Sequence, residues 1–429
     1  MIERHRLPSA SYHSPFENEC WSRCLFAEQL VMIIDDNRDA AQIARHVANK
    51  QPGPAPFFVM DMPSVMARVD DWQRHLSRVQ AYYALGCNAD PVLARILADV
   101  ARLGFAVSDT QQLVTVSVIM DCPLWTRKAM RVAGECHVGT IVIENEKELM
   151  DAISYAPHAR ILLAMSLAAR RNNSDSLCAS IEELEEIIIT ALELRANIVG
   201  IRLILNFRLT GILVIPKSLT RNKNFKENER KPKTLSVRHS IVPISEGSFV
   251  DHFMSFRYFA ASAFVLCTNV IGKKALEARY ITKDDFDDGV GFVYQTNDSV
   301  YGSFGCLLMN SQPECIPLDD VSDAPQHFGT ILGASLQPGD VAQSLIRCRQ
   351  LCVGDWLLWR DAGAYTMPLN GEYAVPPVYY FIGCDSHVGN SDSDAMDTAS
   401  DGASDVESLD EYDNEDLTEC FDRVFLYSQ

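Results

Sequence analysis

Between Phe57 and Leu205 short apolar runs alternate with amphipathic stretches, and this alternation limits the fold more tightly than any other feature of the chain. Phe57-Phe58-Val59-Met60, Ala81-Tyr82-Tyr83-Ala84-Leu85, Phe105-Ala106-Val107, Thr140-Ile141-Val142-Ile143, Ile161-Leu162-Leu163 and Ile198 to Leu205 read as buried strands. They are apolar almost throughout, as strands covered on both faces are. Helices fall between them. Asp90 is placed to cap one, with Pro91 at its first position, where a missing N–H costs nothing. Its apolar face is Val92, Leu93, Ile96, Leu97, Val100 and Leu103, and Gly104 suits the position just past its end. Glu146 to Ile153 is a second helix, and Ser180 with Glu183 makes a capping box for a third that runs to about Ala196. Repeated βα units with apolar strands imply a parallel sheet, open or closed into a barrel.

The alternation stops at Lys217. From there to Arg238 the chain holds eight Lys or Arg against two Glu and few large apolar residues, which predicts an exposed basic loop. After Arg257 the character turns to β, with strands predicted at Phe264–Val270, Gly291–Tyr294, Tyr301–Leu308 and Trp356–Trp359. From Ser386 the sequence is rich in Ser, Asp and Glu and too poor in apolar surface to order itself.

Composition removes several classes of function. Hydrophobic residues make up 47%, enough for a core, but charges break every apolar run before it could span a bilayer. Met1-Ile2-Glu3-Arg4-His5-Arg6 is followed by no apolar run, so a secretory signal is not expected and the chain reads as cytoplasmic. The 13 cysteines read as reduced thiols. Cys20/Cys24 and Cys348/Cys352 are closely spaced but lack the companion pairs that a zinc site needs. Of the formal charge of −19, 13 acidic residues without a single Lys or Arg fall between Ser386 and Asp422. Such a chain is expected to bind neither nucleic acid nor membrane.

Several segments resemble the eukaryotic ornithine decarboxylases and their antizyme-inhibitor relatives. They are Pro56-Phe57-Phe58-Val59 followed by Asp61, Tyr82-Tyr83-Ala84-Leu85-Gly86-Cys87-Asn88, Ile198-Val199-Gly200-Ile201 and Arg257-Tyr258-Phe259-Ala260-Ala261-Ser262-Ala263-Phe264. The most specific are Asn297-Asp298-Ser299-Val300-Tyr301-Gly302-Ser303-Phe304 and Val353-Gly354-Asp355-Trp356-Leu357, continued by Gly363-Ala364-Tyr365-Thr366. The resemblance implies a TIM (β/α)8 barrel of the kind that binds pyridoxal phosphate (PLP), followed by a β domain. It divides the chain into an N-terminal segment 1–55 that adds to the β domain, a barrel over 56–256, a β domain over 257–385 and the acidic tail. Phe57 to Met60 then leads into the barrel. The interval between Ile204 and Arg257 is shorter than the family's by one βα unit, so a shortened barrel is one expectation.

The same resemblance implies a dismantled site. Gly86 stands where the family carries the lysine that holds the cofactor as a Schiff base, the electron sink of the reaction. Ala106, Ala164, Ile204 and Phe207 replace an aspartate, an arginine, a ring-stacking histidine and a phosphate-binding serine. Met254 replaces the glutamate that keeps the pyridine nitrogen protonated. The triple-glycine phosphate loop has no counterpart. Asn310, Leu336 and Gln337 replace the groups that receive the substrate. Arg257 and Tyr365 persist from the phosphate region, and Asp340 matches a dimer-contact aspartate. Arg127, Lys128 and Arg131 fall in the segment that binds antizyme.

The leading expectation is a catalytically inactive, ornithine decarboxylase-like protein, without PLP, that acts by protein binding in polyamine regulation as antizyme inhibitors do. One alternative is a diverged PLP-dependent amino-acid decarboxylase of putrescine and polyamine biosynthesis. For it, Lys273 and Lys274 lie beyond the barrel and replace no cofactor lysine. The other alternative is a relic with an incomplete barrel. The partners implied are antizyme and, for the fold, a second copy or an active paralogue.

Overall fold

The computed structural model describes residues 21–34, 38–76, 80–110, 118–166, 181–206, 209–214, 252–255, 257–309, 311–319, 324–335, 337–367 and 375–383. Strands β1 (Ser22–Phe26) and β2 (Gln29–Ile34) form a hairpin. Helix α1 (Ala40–Lys50) begins at a reciprocal capping box, in which Asp39 Oδ1 accepts from the Gln42 N–H at 2.7 Å and Gln42 Oε1 from the Asp39 N–H at 3.0 Å. Next comes β3 (Phe57–Asp61), and here the expectation fails. The strand does not lead into the barrel but lies inside the second domain's sheet. Phe57 and Val59 pack with Ile43, Ala44 and Val47 of α1, while Phe58 and Met60 join the core that holds Phe264 and Trp359. A strand apolar on both faces fits a barrel or a covered sheet equally well.

Asp61 caps α2 (Met62–His75), and the barrel starts after it. Its strands are β4 (Gln80–Ala84), β5 (Gly104–Val107), β6 (Val118–Met120), β7 (Thr140–Ile143), β8 (Arg160–Ser166), β9 (Ile198–Asn206), β10 (Leu209–Val214) and β11 (His252–Ser255). All eight close into one ring. Seven run parallel. The exception, β10, forms a hairpin with β9 and runs antiparallel to both β9 and β11. The barrel is therefore not left open by the short interval before Arg257: an antiparallel strand fills the place that a βα unit would take.

Side chains alternate across the barrel wall. Tyr82, Ala84, Ala106, Ile119, Val142, Leu162 and Ala164 pack inside. Val107, Met120, Ile141, Ile143, Ile161 and Leu163 face outward, against Met130 and Ala133 of α4 (Arg127–Glu135), Leu149 and Ala152 of α5 (Glu146–Tyr155), and Ile187 and Ala191 of α6 (Ile181–Glu193). Ser180 lies outside the described residues, so the capping box proposed there is not described.

The helix after Asp90 also departs from expectation. It is α-helical as α3 only over Pro91–Arg95 and continues as a π turn over Ile96–Val100. Arg102, with φ 51°, takes the left-handed position expected of Gly104. Gly104 instead opens β5, where a Cβ would collide with the Tyr82 ring of the neighbouring strand.

The second domain is built on β12 (Phe264–Glu277), which pairs with β3, with β13 (Val290–Thr296) and with β17 (Trp356–Arg360). Between β12 and β13 lies the single turn α7 (Arg279–Thr282). The sheet runs β1-β2-β18-β3-β12-β13-β15-β16, where β15 is Gln326–Leu332, β16 Val341–Arg349 and β18 Val378–Gly383, while β14 (Glu314–Pro317) pairs with β17. The stretch predicted as a strand over Tyr301–Leu308 is a 3-10 helix, Ser303–Met309. Asp298 Oδ1 accepts from the Ser299 N–H at 2.7 Å and the Ser303 N–H at 3.0 Å. Bonds of this kind offer the backbone an alternative to a sheet ladder. Among the described residues no helix is long and apolar enough to cross a membrane. The basic segment 217–238 and the acidic tail lie outside the described residues.

Candidate functional site

Gly86 sits in the turn that ends β4, at the edge of the barrel. The Cys87 N–H donates to the Ala84 carbonyl at 2.9 Å, closing the turn. The segment is then tied to the sheet domain. The Tyr365 N–H donates to the Cys87 carbonyl at 2.8 Å, Asn88 Nδ2 to the Gly363 carbonyl at 2.9 Å, and the Tyr380 hydroxyl to Asp90 Oδ2 at 2.7 Å. Nothing in the backbone requires glycine at 86. A Cβ there would meet only Ser108 Oγ, at 3.6 Å, an ordinary contact, and its φ is outside the left-handed region. Gly86→Ala is expected to stabilise the fold by about 0.4–1 kcal/mol, by narrowing the unfolded ensemble. Urea unfolding measures this, and a loss of stability would show that the turn is tighter than described.

Cys87 is no substitute nucleophile. It is 1% exposed, and burial pushes its thiol up to about 12, so it is protonated at neutral pH. Arg257 and Tyr365 do come together, with the guanidinium 5.3 Å from the ring centroid. Burial also pushes the Tyr365 hydroxyl upward, against the pull of Arg257.

Inside the barrel stands a pair that the sequence reading missed. Arg202 lies opposite Ala164 in the β8–β9 register, and Ala164 faces the lumen. Its Nη2 is 2.7 Å from Asp121 Oδ2, and the two side chains are only 12% and 16% exposed. Burial raises the Asp121 carboxyl above its ordinary range, and Arg202 opposes that shift. The charges are spent on each other, although Arg202 Nε is buried without a hydrogen-bond partner among the described residues. The signal was available in part. Arg202 is the one charged residue in the run Ile198 to Leu205, at a position where a barrel strand turns inward.

Of the other expected positions, Ala106 and Ala164 line the lumen. Ile204 and Met254 lie on β9 and β11, each in register with Thr210 of β10. Phe207, Asn310 and Leu336 lie outside the described residues. Gln337 is exposed in a turn. Lys273 and Lys274 are on β12 in the sheet domain, with Lys273 Nζ 4.7 Å from the Phe292 ring centroid. Arg127, Lys128 and Arg131 are all exposed on α4, and Arg131 pairs with Glu135 at 3.7 Å. Cys348 is buried and Cys352 exposed, neither of them in a disulfide, and no group of metal ligands occurs among the described residues.

Asp340, matched by resemblance to a dimer-contact aspartate, is engaged within its own chain. It is 2% exposed, and its carboxylate accepts from the Val300 N–H at 2.9 Å and the Ser335 N–H at 2.8 Å.

An eight-stranded barrel joined to a sheet domain defines a class of protein, and the comparisons agree with it. Residues 57–363 match the family model described as pyridoxal-dependent decarboxylase, C-terminal sheet domain, and the chain belongs to that family. Among its relatives, the ornithine decarboxylase of Caenorhabditis elegans is 26% identical over 408 residues, covering 81% of this chain and 95% of that one. Antizyme inhibitor 1 of Rattus norvegicus is 24% identical over 375 residues, covering 77% and 83%. Among solved structures, the arginine decarboxylase of Paramecium bursaria Chlorella virus bound to agmatine matches with a TM-score of 0.61 at 19% identity, over 80% of this chain and 100% of that one. The lysine/ornithine decarboxylase of Vibrio vulnificus complexed with putrescine matches at 0.59 and 17%, over 80% and 98%.

The family is pyridoxal-dependent, and the residues described here do not fit that cofactor. The position after β4 carries no amine. Ala106 and Ala164 have no polar side-chain atoms, and the interior carboxylate and guanidinium already neutralise each other.

Proposed function

We propose that this chain is a non-decarboxylating member of its family that acts in polyamine regulation by binding another protein, antizyme, the protein its antizyme-inhibitor relatives' names give. The observation that carries the proposal is the pairing of Gly86 with an interior whose described carboxylate and guanidinium, Asp121 and Arg202, are consumed by each other. A decarboxylase of this family needs a cofactor amine and unspent charge around the ring. The closed ring of eight strands favours a maintained fold over a relic. The surface offered for antizyme is the exposed face of α4 with Arg127, Lys128 and Arg131. The opposite face is anchored by buried Met130 and Ala133, so charge changes on the outer face leave the helix packed.

Two measurements test this. Release of carbon dioxide from carboxyl-labelled ornithine, with saturating PLP, is expected to equal that of a protein-free control. Antizyme is expected to co-precipitate with the full chain and to be lost on triple Arg127→Glu, Lys128→Glu, Arg131→Glu substitution. Turnover above the control, or an intact protein that ignores antizyme, contradicts the respective half of the proposal.

A further inference from the structure

Phe286 is 93% exposed, yet the loop that carries it is ordered by its own hydrogen bonds. It lies at the tip between β12 and β13, whose ladder ends at Glu277 opposite Val290. Across the base of the tip the Ala278 N–H donates to the Gly289 carbonyl at 2.7 Å, and the Arg279 N–H to the Asp287 carbonyl at 3.2 Å. Asp284 Oδ1 accepts from the Phe286 N–H at 3.0 Å, and Asp287 Oδ1 from the Gly289 N–H at 3.2 Å. Ile281 is buried against β13, beside Gly291, and anchors the turn. The tip thus has an apolar residue facing the core, and it is not Phe286.

A phenylalanine held in water forgoes the burial that most stabilises a folded chain. A single exposed apolar side chain is common and needs no explanation. Two further facts set this one apart. Tyr280, 67% exposed, is a second aromatic on the same tip. Asp284, Asp285, Asp287 and Asp288 flank Phe286 on both sides, while of the tip's two bases Arg279 is engaged with Glu277 and Tyr280, leaving Lys283. An aromatic anchor ringed by charge of one sign has the composition of a binding hot spot with a steering rim. The charges also select the partner. They repel nucleic acid and anionic membrane alike. A bound cation is not indicated, because Asp284 and Asp287 each direct an oxygen at their own loop's N–H groups and no metal-ligand group occurs among the described residues.

We propose that this tip docks onto the surface of another protein, one that offers an apolar pocket for Phe286 within a rim of Lys and Arg. The surface is in the sheet domain and separate from α4, so it does not depend on the antizyme reading. A preformed tip loses little conformational freedom on binding, which favours recognition by a small contact.

The test places a photo-reactive residue at the tip of the full chain, as Phe286→p-benzoylphenylalanine, in cells, with the same residue at exposed Tyr301 as the control position. Cross-linked peptides are mapped by mass spectrometry. One predominant peptide from a different protein, rich in Lys or Arg, is expected at 286 and not at 301. Its yield should fall about tenfold or more when Asp284, Asp285, Asp287 and Asp288 are all changed to Asn. Asparagine keeps the oxygen that accepts the loop's N–H bonds, and an unchanged melting temperature of that variant verifies the fold. With the partner purified, Phe286→Ser should weaken binding on the order of tenfold or more. Equal yields at 286 and 301, a partner site without basic residues, cross-links to a second copy of this chain, or indifference to the Asn substitutions would each overturn the proposal.

Discussion

Asp121→Ala is expected to lower the unfolding free energy by about 3–5 kcal/mol, because it strands the Arg202 guanidinium inside the barrel without its counter-ion. Arg202→Met should cost a similar amount for the converse reason. The double variant Asp121→Ala, Arg202→Met should cost much less than the two singles together, since it leaves no buried charge unpaired. Urea unfolding of the four proteins closes the cycle. Additive losses would mean that the pair is not coupled as the 2.7 Å contact requires. The pH dependence has a definite sign. Burial holds the folded carboxyl above its ordinary value of 3.8. Its titration therefore adds stability that is fully present below that value and is lost as pH rises through the raised folded value. Asp121→Asn should flatten that acid-side decline.

Asp340→Ala has the second large expected effect. It removes the acceptor of two N–H groups, the buried one of Val300 and the part-buried one of Ser335. Leaving the buried donor unpaired costs about 1–3 kcal/mol, and the part-buried one adds less. Asp340→Asn retains one acceptor oxygen and should recover part of the loss. The neighbourhood is built around this carboxylate: a Cβ at Gly333 would collide with it, and the Gly333 N–H donates to the Asp340 carbonyl at 2.9 Å. Thermal unfolding measures the effect. A loss confined to self-association, with the unfolding free energy unchanged, would contradict this structural role and favour an intersubunit one.

Much of the fold was legible because apolar periodicity reports burial directly. Thr140 to Ile143 matches its strand residue for residue, the strand predicted at Ile161–Leu163 spans Arg160–Ser166, and the one predicted from Ile198 to Leu205 ends one residue later, at Asn206. What periodicity does not report is the partner of a strand. Phe57 to Asp61 is buried on both faces, and its place in the sheet depends on pairing with β12 and β18, far away in sequence. Local polar bonds were a second blind spot. Ser303–Met309 has the residues of a strand, but Asp298 folds its start into a turn. Gly104 looked like a helix cap, and only the Tyr82 ring on the next strand explains it. At the candidate site the losses proposed at Gly86, Ala106 and Ala164 rest on family resemblance. The gain could not be placed that way. Arg202 lies on β9 and Asp121 just past the end of β6, with β7 and β8 between them in the ring, and their pairing exists only once the barrel closes.

The central claim is that this barrel no longer holds the family's cofactor. Its most direct test is the visible absorption of the purified chain titrated with PLP, then reduced with borohydride and digested for peptide mapping. The expected result is no saturable visible band and only sparse pyridoxyl labelling, spread over surface lysines. A band saturating at about one cofactor per chain, abolished by borohydride and mapped to a single lysine, would contradict the claim.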